Sequence, residues 1–298
     1  GGNRKWRPVG LGVMGLADVF FKLRLPFDSP EAKELSTRIA EEIALTAYEA
    51  SADLAEELGR HPSYADTRAA DGVLHVDHFP RASVNQPSRW DGLREKVART
   101  GLRNSLLIAI APTATIAAIA GSAECIEPVV SNVFKRETLS GEFLQVNPYL
   151  ITDLKRLGRW DEATRGALLS SEGSVQDFGW LPAELKSLYR TAWELPQKAL
   201  IELAAARTPF IDQSQSLNLF MAAPTIGKLS SMYAYAWRQG LKTTYYLRSR
   251  PATRIQQTTV AATAATAAPV PLVELPEFTP TEAVACSLEN PEVCEACQ

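Results

Sequence analysis

The sequence predicts an α/β fold over residues 1–255, followed by two short segments of different character. An apolar run of strand length at 105–110 leads through a short polar turn into a helix-like segment at 116–120, which is the pattern of an α/β element. Stretches with helical periodicity and stretches of strand length then alternate as far as residue 248. Residues 256–285 consist largely of Ala, Thr and Pro, which favours a flexible linker before the last segment, 286–298.

The first elements follow from local signals. An apolar stretch at 13–23 predicts a short, mostly buried helix. Ser29 is a typical N-cap before Pro30, and Gly59 stands where a helix C-terminus favours glycine, so the sequence predicts one long helix between them. Its expected buried face consists of Leu35, Ile39, Ile43, Ala47, Ala50, Leu54 and Leu58. We expect residues 60–92 to form a long surface excursion and 92–100 a short helix.

The later elements are predicted in the same way from periodicity and length. Helices are expected at 149–157 and 227–239, and one or two helices at 182–207. Besides the run at 105–110, strands are expected at 129–136, 216–221 and 242–248.

Composition and charge exclude several classes of protein. The 298 residues are 46% hydrophobic and 22% charged, as in a soluble globular protein. A net charge of −3 argues against a dedicated nucleic-acid binder. No apolar run approaches the roughly 20 residues that span a bilayer, and residues 1–6 contain no signal-peptide core, so we expect a cytoplasmic protein without a membrane partner. Beyond residue 254 the only charged side chains are six glutamates, which leaves +3 on residues 1–254 and supports the division of the chain.

Cysteines and histidines do not predict a metal site. The cysteines stand at 125, 286, 294 and 297, and the single Cys-x-x-Cys pair lacks the further ligands that zinc requires. His75 and His78 lack a third ligand, and we expect them to be solvated loop residues. A redox role is therefore the better interpretation of Cys294 and Cys297, because a mobile dithiol can reach a distant disulfide and exchange with it.

Two further groups of residues could carry chemistry. The turn Thr113, Ala114, Thr115 and Ile116 offers backbone N–H groups, small side chains and hydroxyls to a phosphate, although the turn taken alone favours the simpler interpretation of Thr113 as an N-cap. Tyr245 and Tyr246 are adjacent in the predicted strand 242–248, where neighbouring side chains point to opposite faces. Aromatic pairs in strands usually only pack, so the pair indicates little by itself.

The order of several motifs is more informative than any one of them. Seven motifs and the tyrosine pair follow one another along the chain. In order they are Arg103-Asn104-Ser105-Leu106-Leu107-Ile108-Ala109, Pro112-Thr113-Ala114-Thr115, Glu124-Cys125-Ile126-Glu127-Pro128, Leu139-Ser140-Gly141-Glu142-Phe143, Asp212-Gln213-Ser214-Gln215-Ser216-Leu217-Asn218, Gly240-Leu241-Lys242-Thr243, the tyrosines and Cys286-Ser287-Leu288-Glu289-Asn290. With this series the chain resembles the C-terminal part of the large (α) subunit of class I ribonucleotide reductases, from about residue 7 to its end. The resemblance implies the C-terminal portion of a ten-stranded α/β barrel with a flexible tail.

The resemblance also implies a function for each group of residues. The turn 113–116 would hold the diphosphate of a ribonucleoside diphosphate, with Ile116 standing where relatives often have a hydroxyl residue. Tyr246 would receive a radical from the small (β) subunit, and Tyr245 would pass it to a barrel cysteine. Cys294 and Cys297 would re-reduce the active-site disulfide and be reduced in turn by thioredoxin or glutaredoxin. The dimetal/radical cofactor is expected in the small subunit and none in this chain.

Parts of the family pattern are absent from this sequence. The barrel cysteine, both active-site reducing cysteines and the region that binds the ATP and dNTP effectors would lie upstream, and Cys125 is expected to be a packing residue. We therefore expect an incomplete chain that needs the N-terminal half of the large subunit and is inactive alone; the lack of an initiator methionine favours a fragment. The alternative is a non-catalytic remnant that binds the small subunit or nucleotide diphosphates, although such a remnant has no need of the tyrosines or the tail cysteines. A cobalamin-dependent reductase would need no tyrosine relay.

Overall fold

The structure is a computed structural model that describes residues 1–80, 82–138 and 141–250, and only the backbone at 135–138 and 141–144. Its helices are α1 (Gly2–Trp6), α2 (Leu16–Leu23), α3 (Pro30–Leu58), α4 (Pro87–Thr100), α5 (Ala114–Ala120), α6 (Pro148–Arg156), α7 (Glu162–Ser170), α8 (Ala183–Leu188), α9 (Gln197–Arg207) and α10 (Ile226–Arg238). Its strands are β1 (Val133–Thr138), β2 (Gly141–Val146), β3 (Leu219–Met221) and β4 (Leu247–Ser249). Short 3-10 helices occupy Tyr64–Asp66, Arg68–Asp71, His75–His78 and Thr208–Phe210.

Extended segments from distant parts of the chain lie side by side and parallel. Leu11 pairs with Ile108, and Ile110 pairs with Gln215. Further along, β3 pairs with β4 in parallel register, with Leu219 opposite Leu247. Helices connect these segments, as parallel pairing requires. The predicted α/β class is confirmed, and in the described part of the chain the parallel segments do not close into a barrel.

The long helix α3 begins and ends where the sequence predicts. The Ser29 hydroxyl accepts the backbone N–H of Ala32 at 3.1 Å, Pro30 occupies the first turn, and Gly59 follows with a φ of 79°. The predicted buried face is wrong by about one position, since none of its seven members is fully buried. The fully buried residues are Ala32, Ser36, Glu41, Ala44, Leu45, Tyr48, Ser51, Ala52 and Ala55, because α3 packs against both α4 and α9.

The segment 60–92 is more ordered than a surface excursion. Tyr64, Leu74 and Val76 are buried in the core. The segment ends in α4, which begins at Pro87 and not at residue 92 as predicted. A buried carboxylate explains this order: Glu41 accepts the backbone N–H of Asn85 at 2.9 Å and the indole N–H of Trp90 at 3.0 Å. A contact between residues 44 positions apart leaves no local pattern from which it could be predicted.

The apolar run at 105–110 is extended but makes only isolated ladder pairs. The N–H of Leu11 donates to the carbonyl oxygen of Leu107, and the N–H of Ala109 donates to the carbonyl oxygen of Leu11. The backbone N–H groups of Leu107 and Ile108 instead donate to the Asp212 carboxylate, both at 2.8 Å. A side chain thus replaces backbone partners at two successive positions, which explains why a regular strand does not form.

Elements after residue 128 follow the predictions with small shifts. The predicted strand 129–136 starts at Val133 and is the first strand of a hairpin with β2. Helix α6, the pair α8 and α9, and α10 confirm the helices predicted at 149–157, 182–207 and 227–239 to within a few residues. Of the predicted strands 216–221 and 242–248, only the ends form ladders, as β3 and β4.

The predicted linker 256–285 and tail 286–298, with the boundary at 255, lie outside the described residues. No helix in the part of the chain that the structure describes combines the length and the apolar character needed to cross a membrane.

Candidate functional site

The turn at Thr113 connects the extended segment 105–110 to α5. Thr113 has a left-handed backbone conformation (φ 55°), which is uncommon for a β-branched residue. Thr113 occupies the N-cap position of α5, as the N-cap interpretation predicts, but its hydroxyl does not cap the helix; it accepts the backbone N–H of Cys125 at 2.8 Å. Ala114, Thr115 and Ile116 are exposed. Their backbone N–H groups belong to the first helical turn and have no acceptor within the helix, so they are available to an anionic ligand.

Cys125 lies beneath this turn and is completely buried. Its backbone is also left-handed (φ 47°), and its Sγ lies 3.9 Å from the carbonyl oxygen of Ser216. Burial raises the pKa of the thiol to about 12, so the thiol stays protonated at neutral pH. These observations agree with the expected packing role of Cys125. Its backbone N–H has a second role, since it donates to the Thr113 hydroxyl and holds that side chain in place.

Glu127, two residues after Cys125, forms a buried polar contact with Asn218. Glu127 is 7% exposed and Asn218 is 4% exposed. The Asn218 side-chain amide donates to Glu127 Oε2 at 2.9 Å, and the Asn218 backbone N–H donates to Oε1 at 3.3 Å. Burial raises the pKa of Glu127, while the hydrogen bonds from Asn218 and the charge of Arg248 act in the opposite direction.

Tyr245 and Tyr246 precede β4 and do not lie inside a regular strand. The expectation that they point to opposite faces is wrong: their ring centroids are 4.0 Å apart with an interplanar angle of 52°. Both remain accessible, with exposures of 50% and 54%. The pKa of Tyr245 is raised, first by its side-chain hydrogen bond with Tyr246. Two phenols in contact can exchange an electron together with a proton, so that no bare charge forms on either ring.

His75 is more buried than the sequence predicts. His75 is half-buried, and its Nε2 lies 3.1 Å from the carbonyl oxygen of Thr208. Burial, with the nearby charge of Lys242, lowers the pKa of His75 to about 4. Its expected role as a solvated loop residue is therefore wrong, whereas His78 is exposed. Among the described residues no group of three or more His, Cys, Asp or Glu side chains could hold a metal ion.

Two site residues were not singled out from the sequence as a pair. Asn218 and Glu127 stand in motifs that supported the family resemblance, yet 91 positions separate them and no spacing rule connects them. The one available signal is a polar residue, Asn218, inside an apolar run that predicts a buried strand. Cys294 and Cys297, the remaining predicted site residues, lie outside the described residues.

Comparison with known proteins gives consistent matches. The family described as "Ribonucleotide reductase, barrel domain" matches residues 1–247. The ribonucleoside-diphosphate reductase large chain of Schizosaccharomyces pombe is 44% identical over 99% of this chain and 39% of its own length. The large subunit from Danio rerio is 43% identical over 99% of this chain and 38% of its own length. The chain thus spans about two fifths of the curated relatives that it matches.

A solved structure shows the same likeness in three dimensions. The chain superposes on the class Id ribonucleotide reductase alpha subunit of Actinobacillus ureae with a TM-score of 0.65 and 27% sequence identity. The match covers 83% of this chain and 39% of that subunit.

Proposed function

Since the chain belongs to the ribonucleotide reductase family, over residues that match its barrel domain, we propose that it forms part of a ribonucleoside-diphosphate reductase large subunit. In this function it contributes to the radical reduction of ribonucleoside diphosphates to 2′-deoxyribonucleoside diphosphates. The observation that carries the proposal is the tyrosine pair, whose rings touch at 4.0 Å while both remain open to a partner.

The tyrosines serve as the radical entry point in this proposal. Tyr246 accepts the radical from the small subunit, which holds the dimetal or radical cofactor, and Tyr245 passes it toward the barrel cysteine. Each step moves one electron and one proton, so Tyr246 becomes the neutral phenol again as Tyr245 becomes the neutral radical. The ring contact, with centroids 4.0 Å apart, supports transfer between the two residues, and the raised pKa of Tyr245, caused first by its side-chain hydrogen bond with Tyr246, disfavours a free phenolate.

The turn 113–116 holds the substrate diphosphate in the same proposal. Its exposed backbone N–H groups and the Thr115 hydroxyl can donate to phosphate oxygens. The Thr113 hydroxyl already accepts the N–H of Cys125, so its own proton is free to donate. Ile116 adds no hydroxyl, and the backbone donors supply that side of the contact.

The remaining steps need parts that this sequence does not contain. The barrel cysteine, the reducible active-site pair and the sites for ATP and dNTP effectors belong to the N-terminal half of the large subunit. Cys294 and Cys297 return electrons to the active-site pair by thiol–disulfide exchange, and thioredoxin or glutaredoxin reduces them. Two thiols are oxidised to a disulfide at each exchange, which balances the two electrons consumed per ribonucleotide.

Reconstitution tests this function directly. The chain is produced together with the N-terminal half of the large subunit and the small subunit, and diphosphate reduction is assayed with thioredoxin. We expect activity from the assembly, none after Tyr245→Phe, and full activity after Tyr149→Phe, a control that removes a phenol oxygen away from the pair. Activity of the Tyr245→Phe assembly at the wild-type level would rule out the relay.

The same assay separates the tail from the relay. Replacing Cys294 and Cys297 by serine should stop thioredoxin-driven turnover but spare a single turnover of the pre-reduced enzyme. Unchanged multiple turnover would exclude the reducing role of the tail. An assembly that binds the small subunit without any turnover would favour the non-catalytic alternative.

A further inference from the structure

The backbone beside the tyrosine pair contains one residue more than regular pairing allows. In a parallel ladder, a single residue opposite Asn218 would donate its N–H to Leu217 and accept the N–H of Leu219. Here Tyr245 donates to the Leu217 oxygen at 2.8 Å, whereas Tyr246 accepts from Leu219 at 2.9 Å. Asn218 therefore faces two residues, as in a β-bulge.

The bulge explains why the two rings meet. In a regular strand, neighbouring side chains point to opposite faces and their rings could not be 4.0 Å apart. An inserted residue changes the direction of one side chain and leaves its backbone N–H without a ladder partner. That group belongs to Tyr246, and it donates to Asn218 Oδ1 at 3.3 Å. The Asn218 side chain thus satisfies the donor that the bulge would otherwise leave unpaired.

Glu127 determines which way the Asn218 side chain points. Both carboxylate oxygens of Glu127 accept from Asn218, one from the side-chain amide and one from the backbone N–H. Because a carboxylate accepts and cannot donate, it selects the orientation in which the amide NH₂ faces it and Oδ1 faces Tyr246. Both residues are almost completely buried, so water does not compete for these hydrogen bonds.

The same turn reaches the predicted diphosphate site. The Cys125 N–H, two residues before Glu127, donates to the Thr113 hydroxyl at 2.8 Å. The Cys125 Sγ also lies against Ser216, two residues before Asn218. The turn that contains Cys125 and Glu127 thus contacts Thr113 on one side and the strand that carries Asn218 on the other.

We propose that Glu127 and Asn218 are positioning residues that keep Tyr245 and Tyr246 in ring contact and tie the pair to the diphosphate-binding turn. The inference rests on the proposed function for its purpose, since ring contact matters for catalysis only if the pair relays a radical. The geometric part of the inference, that Glu127 and Asn218 hold the two rings in contact, does not depend on the proposed function. The two parts are therefore tested by separate measurements.

The first measurement follows the rings in the assembled reductase. Residue 245 is replaced by 3-fluorotyrosine, and its hydroxyl is titrated by ¹⁹F NMR. We expect Asn218→Ala to move the pKa of residue 245 toward that of free fluorotyrosine and to speed amide exchange at Tyr246 by roughly tenfold, because a hydrogen bond of the bulge is lost. Gln197→Ala is the matched control: its buried amide accepts the N–H of Phe220 at 2.6 Å in the same strand but lies away from the tyrosines. An unchanged titration and exchange rate after Asn218→Ala would overturn the proposal.

The second measurement separates positioning from general damage to the fold. We expect Asn218→Ala to lower kcat while KM for the diphosphate stays within about twofold, since the phosphate contacts remain. Thr113→Val should instead raise KM. Glu127→Gln provides a milder variant should Asn218→Ala fail to assemble, because one carboxylate oxygen becomes an NH₂ that repels the Asn218 donor, and it should shift the fluorotyrosine titration in the same direction.

These outcomes separate the two proposals. If Tyr245→Phe retains full activity while Asn218→Ala still separates the rings, the relay fails and the geometric role stands. If Tyr245→Phe is inactive while Asn218→Ala and Glu127→Gln both leave the rings and kcat as in the wild type, the relay stands and the positioning role fails.

Discussion

His75 illustrates how burial changes the chemistry of one side chain. Its ring contacts Phe79 with centroids 5.2 Å apart, and its Nε2 faces the Thr208 oxygen. Burial lowers the pKa of His75 to about 4, whereas a histidine in an unfolded chain titrates near 6.5. Between these values the unfolded chain binds a proton that the folded chain does not.

Stability should therefore depend on pH in this range. The contribution of a neutral, buried His75 is fully present above pH 6.5 and is lost as the pH falls from 6.5 to about 4. We expect a loss of up to about 2 kcal/mol, since the ring is only partly buried and water screens part of the effect. Thermal unfolding of the assembled protein between pH 7 and 4 measures it, with His75→Gln removing this part of the slope. An identical slope in the variant would show that other groups cause the dependence.

Individual residues also show where sequence reasoning ends. The ordered motifs lead to the prediction that Thr113 and the tyrosines belong to a functional site, because a resemblance in residue type and order can be read without knowing any contact. Local rules nevertheless assign the Thr113 hydroxyl to capping the helix and place the tyrosines on opposite faces. Both errors come from tertiary hydrogen bonds, one from the Cys125 N–H and one from Asn218, that local rules do not contain.

Among the secondary-structure elements, the sequence predicts helices better than extended segments, for a physical reason. The start of α3 depends on Ser29 and Pro30, and that of α10 on Thr225, whose hydroxyl accepts the N–H of Lys228. All these signals lie within four residues of the helix start. The segment 105–110 depends instead on Asp212, more than 100 residues away. A local pattern can predict that such a segment is buried, but not which groups its backbone will bind.

A substitution in the short helix α5 should change the affinity for the substrate. Ile116 is 57% exposed in its first turn, at a position where the family resemblance leads us to expect a hydroxyl residue. We expect Ile116→Thr to lower KM for the diphosphate substrate by roughly tenfold if the new hydroxyl donates to the phosphate, because hydrogen bonds to charged groups are among the stronger ones. Steady-state kinetics of the reconstituted enzyme measures the change.

Ile116→Val serves as the matched control for that change. It keeps the branched shape but adds no donor, so KM should stay at the wild-type value. An equal fall in KM for the valine and threonine variants would attribute the effect to side-chain size and not to hydrogen bonding.

At the scale of the whole molecule, apolar groups remain uncovered. Within the described residues, large exposed side chains include Ile119 at 81%, Ile226 and Trp237 at 77%, and Leu11 at 50%. Among the residues that the structure describes, the parallel segments also end in two unpaired edges, one beside residues 9–11 and the other at β4. Exposed apolar surface and free strand edges both favour association with other chains.

We therefore expect the isolated 298-residue chain to aggregate or to bind hydrophobic dyes. Production together with the N-terminal half should give a soluble complex, since that half would cover the open side of the sheet. Light scattering and dye fluorescence of the chain, alone and in the complex, measure the difference. A soluble monomer that unfolds cooperatively by itself would contradict this expectation.

The parallel pairing described above has a consequence for how the chain folds during synthesis. Gln213 donates to the carbonyl oxygen of Val9 at 2.7 Å, and the fully buried Arg207 donates to Ser36 at 2.8 Å. These contacts cannot form until residues 207 and 213 have left the ribosome; α9 is complete about 150 residues after the end of α3, which takes roughly 8 to 30 s at typical translation rates. During that time α3 waits without its partner α9, so the nascent chain should depend on chaperones that shield apolar helices. Slowing translation beyond residue 215 should lower the yield of folded protein much less than slowing it before that residue.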